Sequence, residues 1–183
     1  QRGGAYFVEH ADKAIRAGKI PPMIVVLVNG LPSGFFNDSA DGRQPVESVI
    51  IRDLLPHVDA TYRTLAARGS RGIEGFSMGG YGAVHLGFKY PELFGVVSNL
   101  AGAVIDVEFF ATYQNGRILQ EIFGGDRDAF QRNHPLALAR QNDGAIRGRT
   151  QVRIVVGDQD SGRGTLDANR KLHQALEELQ IEH

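Results

Sequence analysis

The sequence predicts an α/β fold in which a mainly parallel sheet carries helices on both faces. Short apolar runs recur along the chain, and segments with helical spacing of apolar residues separate them. Continuous apolar runs are typical of strands buried on both faces of a parallel sheet. Strands that alternate with helices also favour parallel pairing. Ligands of such sheets bind beyond the carboxyl ends of the strands, so functional residues are expected there.

Four strands are predicted, at residues 23–28, 72–76, 96–100 and 152–156. The first is a continuous and partly β-branched apolar run, which a loop at residues 29–34 ends. The second is short and is assigned by its position before a helix. Gly157 ends the fourth.

Helices are predicted at residues 5–17, 46–54, 78–88, 117–123, 135–140 and 166–179, with a further helical stretch after Pro56. Gly18 fits the C-cap of the first helix. Pro45 can begin the second, because proline suits the first turn of a helix. The last is amphipathic, with four leucines near one face: Leu166, Leu172, Leu176 and Leu179.

Composition narrows the class of protein. The 183 residues contain no linker, repeat or low-complexity tract, so a single domain over residues 1–183 is expected. The formal net charge of −1 argues against nucleic acid or an anionic membrane as the main partner. No apolar run approaches the roughly 18 residues of a membrane span. The absence of cysteine excludes disulfides, thiolate metal sites and a cysteine nucleophile.

The most informative motif is Gly75-Phe76-Ser77-Met78-Gly79. It matches the Gly-x-Ser-x-Gly nucleophile elbow of the α/β-hydrolase fold, in which a strained strand-to-helix turn exposes a serine hydroxyl above the sheet. Glycines flank the serine because side chains there would clash, and Gly80 and Gly82 are expected to let the helix pack closely. The alternative is a glycine-rich turn whose serine merely caps a helix. The strand before and the helix after favour the elbow.

A nucleophilic serine that attacks a carbonyl needs donors for the developing oxyanion. In this fold one donor is the backbone N–H of the residue after the nucleophile, which is Met78 here. The other comes from a loop after an earlier strand, and the Leu31 N–H is the candidate. The alternative is that residues 29–31 form an ordinary turn.

The acid of a Ser–acid–His triad is expected after a later strand. Asp160 is the first candidate and Asp158 the second, since both follow the strand at residues 152–156. The alternatives are a solvated acidic turn or an incomplete cation loop. The acidic ligand that a calcium loop carries at its twelfth position is absent, so no metal site is predicted.

The general base is the unresolved part of the triad. The chain has six histidines, of which four precede the acid and violate the expected order. His173 lies within the last predicted helix, and His183 follows that helix too early for the catalytic loop. The catalytic histidine is therefore expected beyond residue 183. The amino-terminal residues lack an initiator methionine and a signal-peptide pattern, which is typical of an internal point in a longer chain.

With these motifs in place, the chain resembles the esterase family of α/β-hydrolases that includes esterase D, feruloyl and acetylxylan esterases, enterochelin-esterase-like enzymes and the antigen 85 mycolyltransferases. The resemblance covers nearly the whole chain and rests on five segments: GKIPPMIVV (18–26), LLPHVD (54–59), YRT (62–64), GFSMGGYGA (75–83) and FKYPELFG (88–95). It implies Ser77 as nucleophile, Asp160 as acid, and Leu31 and Met78 as oxyanion donors. Family members usually have further strands before the first helix and a last strand with a histidine loop, so the domain is expected to be incomplete at both ends.

The resemblance also implies a serine carboxylesterase that needs no cofactor and acts on small-molecule or carbohydrate esters, with feruloyl or acetyl groups on polysaccharide favoured. Acyl transfer, siderophore-ester or thioester hydrolysis, and a catalytically inert domain are the alternatives. Phe35, Phe36 and Asn37 either line the pocket or pack locally. Export or the periplasm is favoured over the cytoplasm by likeness alone, and the oligomeric state is left open.

Overall fold

The computed structural model describes residues 2–160 and 162–183. At its centre three parallel strands lie in the order β1-β2-β3. They are β1 (Gly72–Phe76), β2 (Val96–Leu100) and β3 (Gln151–Val155). Three of the four predicted strands are thus confirmed, two with the predicted bounds and the third shifted by one residue.

Ten α-helices are described: α1 (Arg2–Arg16), α2 (Val46–Ser48), α3 (Leu55–Thr61), α4 (Met78–Lys89), α5 (Val107–Thr112), α6 (Arg117–Phe123), α7 (Arg127–Asn133), α8 (Pro135–Gln141), α9 (Asp143–Ile146) and α10 (Thr165–Glu178). A π-helical turn at Val49–Leu54 joins α2 to α3, and short 3-10 turns lie at Arg68–Ser70, Tyr113–Gly116 and Gly162–Gly164. No helix of the described residues has both the length and the apolarity that crossing a membrane requires.

Helix α4 is the buried centre of the molecule. Apart from His85 and Lys89 its sequence is apolar or small, and a helix of that kind is stable only when neighbours surround it. It packs on β1, β2 and α8. Phe88 and Leu86 are almost fully buried there, and burial of each such side chain contributes about 1.5–3 kcal/mol.

The two terminal helices follow their predicted patterns. Gly18 adopts a left-handed φ of 66° after α1, and its N–H and that of the next residue donate to the Ile15 and Ala14 carbonyls. This arrangement closes the helix as a glycine C-cap does. Leu172 and Leu176 of α10 are fully buried in the main core, and Leu179, the residue after the helix, is partly buried against it.

The predicted strand at residues 23–28 is wrong. The segment forms no ladder with any described strand, and its six apolar side chains are between 38% and 63% exposed. A strand requires a hydrogen-bonded neighbour, but among the described residues β1 pairs only with β2. A cavity of about 970 Å³ lined by Met23, Val26, Ile73 and other apolar residues lies beside β1 and the segment. The burial that the apolar run predicted is therefore not found either, because an apolar pattern does not specify which surface covers it.

The expected division of helix at Pro56 is also wrong. Residues 46–61 are helical throughout, with Pro56 at the second position of α3. Proline inside a helix removes a hydrogen bond and clashes with the preceding turn. The wider π turn precedes it here, and the Leu55 N–H donates to the Ile50 carbonyl five residues back. The chain therefore accommodates Pro56 without breaking.

Candidate active site

Ser77 lies between the last residue of β1 and the first residue of α4, with φ 57° and ψ −115°. A non-glycine residue in this region is strained, and such strain persists only where the surroundings impose it. The Ser77 N–H donates to the Leu100 carbonyl at 2.9 Å, and the Ser77 carbonyl accepts from the N–H groups of Tyr81 and Ala103. Contacts to the end of β2 and the loop after it therefore hold the strained turn.

The two glycines of the motif, Gly75 and Gly79, differ in whether a side chain would fit in their place. A Cβ at Gly75 would lie 2.1 Å from the Gly79 carbonyl oxygen, so only glycine fits there. A Cβ at Gly79 would meet nothing within 4 Å, because Gly79 faces the cavity beside β1. The expected clash is confirmed at the first glycine and is wrong for the second.

Two further glycines of α4 allow close approach, as expected. A Cβ at Gly80 would lie 2.6 Å from the Gly102 Cα, in the loop after β2. A Cβ at Gly82 would lie 2.3 Å from the ring of Phe36, which also abuts Gly30. The loop at residues 29–36 therefore packs against the second turn of α4 through the Phe36 ring.

The two candidate oxyanion donors are in different states. Met78 is the first residue of α4, so its N–H has no acceptor within the helix. The Leu31 N–H donates to the Oδ1 of Asn29 at 3.0 Å, and Leu31 has a left-handed φ of 58°. Among the described residues the Met78 N–H is free to donate to a ligand, whereas the Leu31 N–H is engaged by the Asn29 side chain.

The residues after Leu31 pack largely within the protein. Phe35 is buried edge-on against Tyr81 and Phe110. Asn37 is buried, and its amide donates to the Phe35 carbonyl at 2.8 Å. Local packing is therefore the arrangement that the structure shows for Phe35 and Asn37.

Asp160 lies in the turn between β3 and α10. Its N–H donates to the Gly157 carbonyl, and its carbonyl accepts from the Leu166 N–H. Its side chain is half-buried, whereas Asp158 is exposed. Among the described residues the Asp160 carboxylate accepts no hydrogen bond, which leaves it able to orient an imidazole.

Ser77 and Asp160 lie at the same edge of the sheet, because each follows a strand and the strands are parallel. One strand, β2, separates them. Neighbouring strands are about 4.8 Å apart, so the two strand ends are separated by roughly 10 Å. A histidine base that hydrogen-bonds both side chains would lie between these two strand ends.

None of the histidines hydrogen-bonds Ser77 or Asp160 within residues 2–160 and 162–183. The Nε2 of His183 lies 2.6 Å from the Nδ1 of His173, at the far end of α10. His134 is buried with its Nε2 near the Ile105 carbonyl, and burial lowers its pKa to about 4. The described residues also contain no group of three His, Asp or Glu side chains arranged to hold a metal ion.

Sequence reasoning missed a buried charged cluster between α2 and α4. Glu47 accepts hydrogen bonds from His85 at 2.7 Å, Tyr90 at 2.5 Å and Lys89 at 3.0 Å. Burial alone raises the pKa of the Glu47 carboxyl, but these donors outweigh it and lower the pKa to about 2. The available signal in the sequence was the pair His85 and Lys89, which lie four residues apart on an otherwise apolar helix.

The family comparison agrees with the geometry of the elbow. Residues 8–182 match the family described as "Putative esterase". The chain belongs to this esterase family. The resemblance that the five sequence segments indicated is thereby confirmed.

Two curated relatives match about half of the chain. An endo-1,4-beta-xylanase/feruloyl esterase of Xylanibacter ruminicola is 36% identical over 93 residues, which are 50% of this chain and 13% of that protein. A Mycobacterium tuberculosis protein named as an esterase is 35% identical over 91 residues, which are 48% of this chain and 20% of that protein. The matched regions span a fifth or less of the relatives' length.

Two solved structures share the fold. A ferulic acid esterase superposes with a TM-score of 0.68 at 19% identity, covering 93% of this chain and 63% of that one. The fluorophosphonate-binding serine hydrolase F of Staphylococcus aureus gives 0.68 at 16% identity, covering 82% and 58%. The fold is that of the α/β-hydrolase esterases.

Proposed function

We propose that this chain carries the nucleophile and the acid of a serine carboxylesterase. The observation that carries the proposal is the strained Ser77 backbone at the junction of β1 and α4, on a serine flanked by the glycine that the turn requires. Membership of the esterase family supports it. A serine that only caps a helix would have no need of a left-handed φ, since capping residues adopt extended backbone.

In the proposed reaction the Ser77 hydroxyl attacks the ester carbonyl and passes its proton to a histidine base. Asp160 orients that base and stabilises its charged form. The N–H groups of Met78 and Leu31 stabilise the oxyanion, the latter after it releases the Asn29 side chain. The alcohol leaves with the proton from the base, and water then hydrolyses the acyl-enzyme. The steps require no cofactor.

The proposed substrates are carbohydrate-linked esters that carry feruloyl or acetyl groups. Support comes from the resemblance and from the two relatives whose names include feruloyl or ferulic acid esterase. Acyl transfer to a sugar hydroxyl, hydrolysis of siderophore esters or thioesters, and an inert domain are the competing proposals. Hydrolysis and transfer differ in whether water or an alcohol resolves the acyl-enzyme.

The test is steady-state hydrolysis of 4-nitrophenyl acetate and methyl ferulate by the full-length protein. Ser77→Ala should abolish turnover, and Asp160→Asn should lower kcat by a factor of about 10⁴. Asp158→Asn is the matched control and should stay within about twofold. Full activity in Ser77→Ala would show that Ser77 is not the nucleophile. A larger loss of kcat in Asp158→Asn than in Asp160→Asn would assign the acid to Asp158. Added alcohol acceptors would reveal transfer as ester products.

A further inference from the structure

A cationic side chain lies against an aromatic ring on the acid side of the candidate site. The Arg163 guanidinium carbon is 5.1 Å from the centre of the Tyr113 ring, within the range of cation–π attraction. Arg163 follows Asp160 by three residues in the turn before α10, whereas Tyr113 follows α5 in the connection after β2. The contact therefore joins the loops that leave two neighbouring strands.

The Arg163 guanidinium has unused hydrogen-bonding capacity. Arg163 is exposed and has a left-handed φ of 56°. In the part of the chain that the structure describes, its side chain makes neither a hydrogen bond nor an ion pair. A guanidinium carries five N–H donors in a fixed plane. Contact with the ring orients this plane and leaves the donors for a ligand.

Tyr113 itself is held from several sides. Its ring stacks on Phe109 at 4.8 Å, and its hydroxyl accepts from the Gln114 amide at 3.3 Å. Arg117 donates to the Gln114 side-chain oxygen at 2.7 Å and to the Ser33 hydroxyl at 3.1 Å. The Tyr113 turn is thus tied to the loop at residues 29–36.

The backbone of this turn is strained as well. Gln114 and Asn115 adopt left-handed φ values of 52° and 57°, and Gly116 follows at 72°. Glycine and asparagine adopt this conformation readily, whereas it is strained for Gln114. The hydrogen bond from Arg117 to the Gln114 side chain therefore supports the one residue of the turn that its backbone conformation strains.

The chemistry of ester cleavage says which part of a substrate meets this side. The base that the acid orients delivers its proton to the leaving alcohol. The alcohol oxygen therefore faces the base, which lies between Ser77 and the Asp160 turn, and the rest of the alcohol extends from there towards the rim of the site. Arg163 and Tyr113 lie at this rim, since they belong to or contact the Asp160 turn.

We propose that Arg163 is a specificity-determining residue that donates hydrogen bonds to the hydroxyl oxygens of a sugar in the alcohol part of the ester. Tyr113 is the positioning residue that orients its guanidinium. The inference rests on the proposed esterase function. It deepens that function by assigning sugar recognition to the rim formed by the Asp160 and Tyr113 turns.

The test compares two esters that share an acyl group. Feruloyl-arabinose carries a sugar alcohol, whereas methyl ferulate carries none. In the full-length protein, Arg163→Ala should lower kcat/KM for feruloyl-arabinose about tenfold, as expected for a lost charge-assisted hydrogen bond. The loss should fall mainly on KM. The kcat/KM for methyl ferulate should stay within about twofold.

Variants of Tyr113 separate positioning from folding. Tyr113→Phe keeps the ring and should retain the preference for the sugar ester, whereas Tyr113→Leu should lower it as Arg163→Ala does. Arg170→Ala removes an exposed positive charge from α10 and is the matched control. Thermal unfolding of each variant checks that the fold persists.

The outcomes separate this inference from the proposed function. Equal losses on both esters in Arg163→Ala would overturn sugar recognition, because the residue would then only shape the Asp160 turn. No change on either ester would overturn it too. If Ser77→Ala still hydrolyses both esters, the proposed function itself fails.

Discussion

Helix α4 and the segment at residues 23–28 are both apolar, yet one is the most buried part of the molecule and the other is exposed. Helix α4 has neighbours on several sides, namely β1, β2 and α8. The segment at residues 23–28 has a cavity beside it and no hydrogen-bonded partner among the described residues. An apolar pattern therefore encodes a tendency to be buried, while burial itself depends on which surfaces meet.

The largest difference in stability is expected when the same truncation is made in both regions. Leu86→Ala removes a buried side chain of α4 and should cost about 2–5 kcal/mol of unfolding free energy, because it leaves a cavity. Leu27→Ala removes a side chain that is 63% exposed and should cost no more than about 0.5 kcal/mol. Urea unfolding measures both. Equal costs would mean that residues 23–28 are buried in solution.

The charged cluster that ties α2 to α4 should make stability depend on pH. The pKa of Glu47 is about 2 in the folded protein against an ordinary value of 4.5. Above pH 4.5 the ionised Glu47 carboxylate therefore stabilises the folded protein by about 2–3 kcal/mol. This stabilisation is lost as the pH falls towards 2. Urea unfolding between pH 2 and 7 should show this loss in the wild type and a flatter profile in Glu47→Gln.

His134 supplies an internal control for that experiment. Its folded pKa of about 4 lies below the ordinary 6.5, so protonation of the unfolded chain lowers stability as the pH falls from 6.5 towards 4. Glu47→Gln should leave this upper window in place. If Glu47→Gln changed the free energy of unfolding only between pH 4 and pH 6.5, the role assigned to Glu47 would be contradicted.

A smaller effect is expected from the two glycines of the elbow, which face opposite surroundings. Gly75→Ala places a methyl group against the backbone of α4 and should cost about 1–3 kcal/mol with a large loss of activity. Gly79→Ala points into the cavity and should be neutral, or stabilising by up to about 1 kcal/mol through helix propensity. Thermal unfolding and ester hydrolysis measure both. Equal destabilisation would show that the space beside Gly79 is filled in solution.

The smallest expected effect concerns the Leu31 N–H, which already donates to the Asn29 side chain. Asn29→Ala removes the acceptor of the Leu31 N–H and should raise kcat/KM up to about fivefold, since one neutral hydrogen bond no longer has to break. Unchanged or lower kcat/KM would remove Leu31 as the second oxyanion donor. Hydrolysis of 4-nitrophenyl acetate provides the readout.

The parts of the fold that local sequence determines were predicted well. Strand β1, the elbow and α4 follow one another within 18 residues, and their glycines and apolar residues specify the turn directly. Helices α5, α7 and α9 were not predicted. They are four to seven residues long, and helices this short depend on tertiary packing for most of their stability.

The candidate site likewise contains residues that local sequence predicts and contacts that it does not. Ser77 and Asp160 each follow a predicted strand, so parallel pairing brings them to one edge of the sheet. The Glu47–His85 bond joins residues 38 apart in sequence, and the Arg163–Tyr113 contact joins two separate loops. The spacing of His85 and Lys89 marks one side of the first contact, but no sequence pattern identifies the distant partner in either case, so only the three-dimensional structure reveals the pairs.

The central claim is that the strained serine after β1 is a nucleophile. Intact mass spectrometry of the full-length protein before and after treatment with a fluorophosphonate, followed by peptide mapping, tests it most directly. We expect one adduct, located on Ser77 and absent from Ser77→Ala. A folded protein that gains no adduct, or an adduct that persists in Ser77→Ala, would contradict the account.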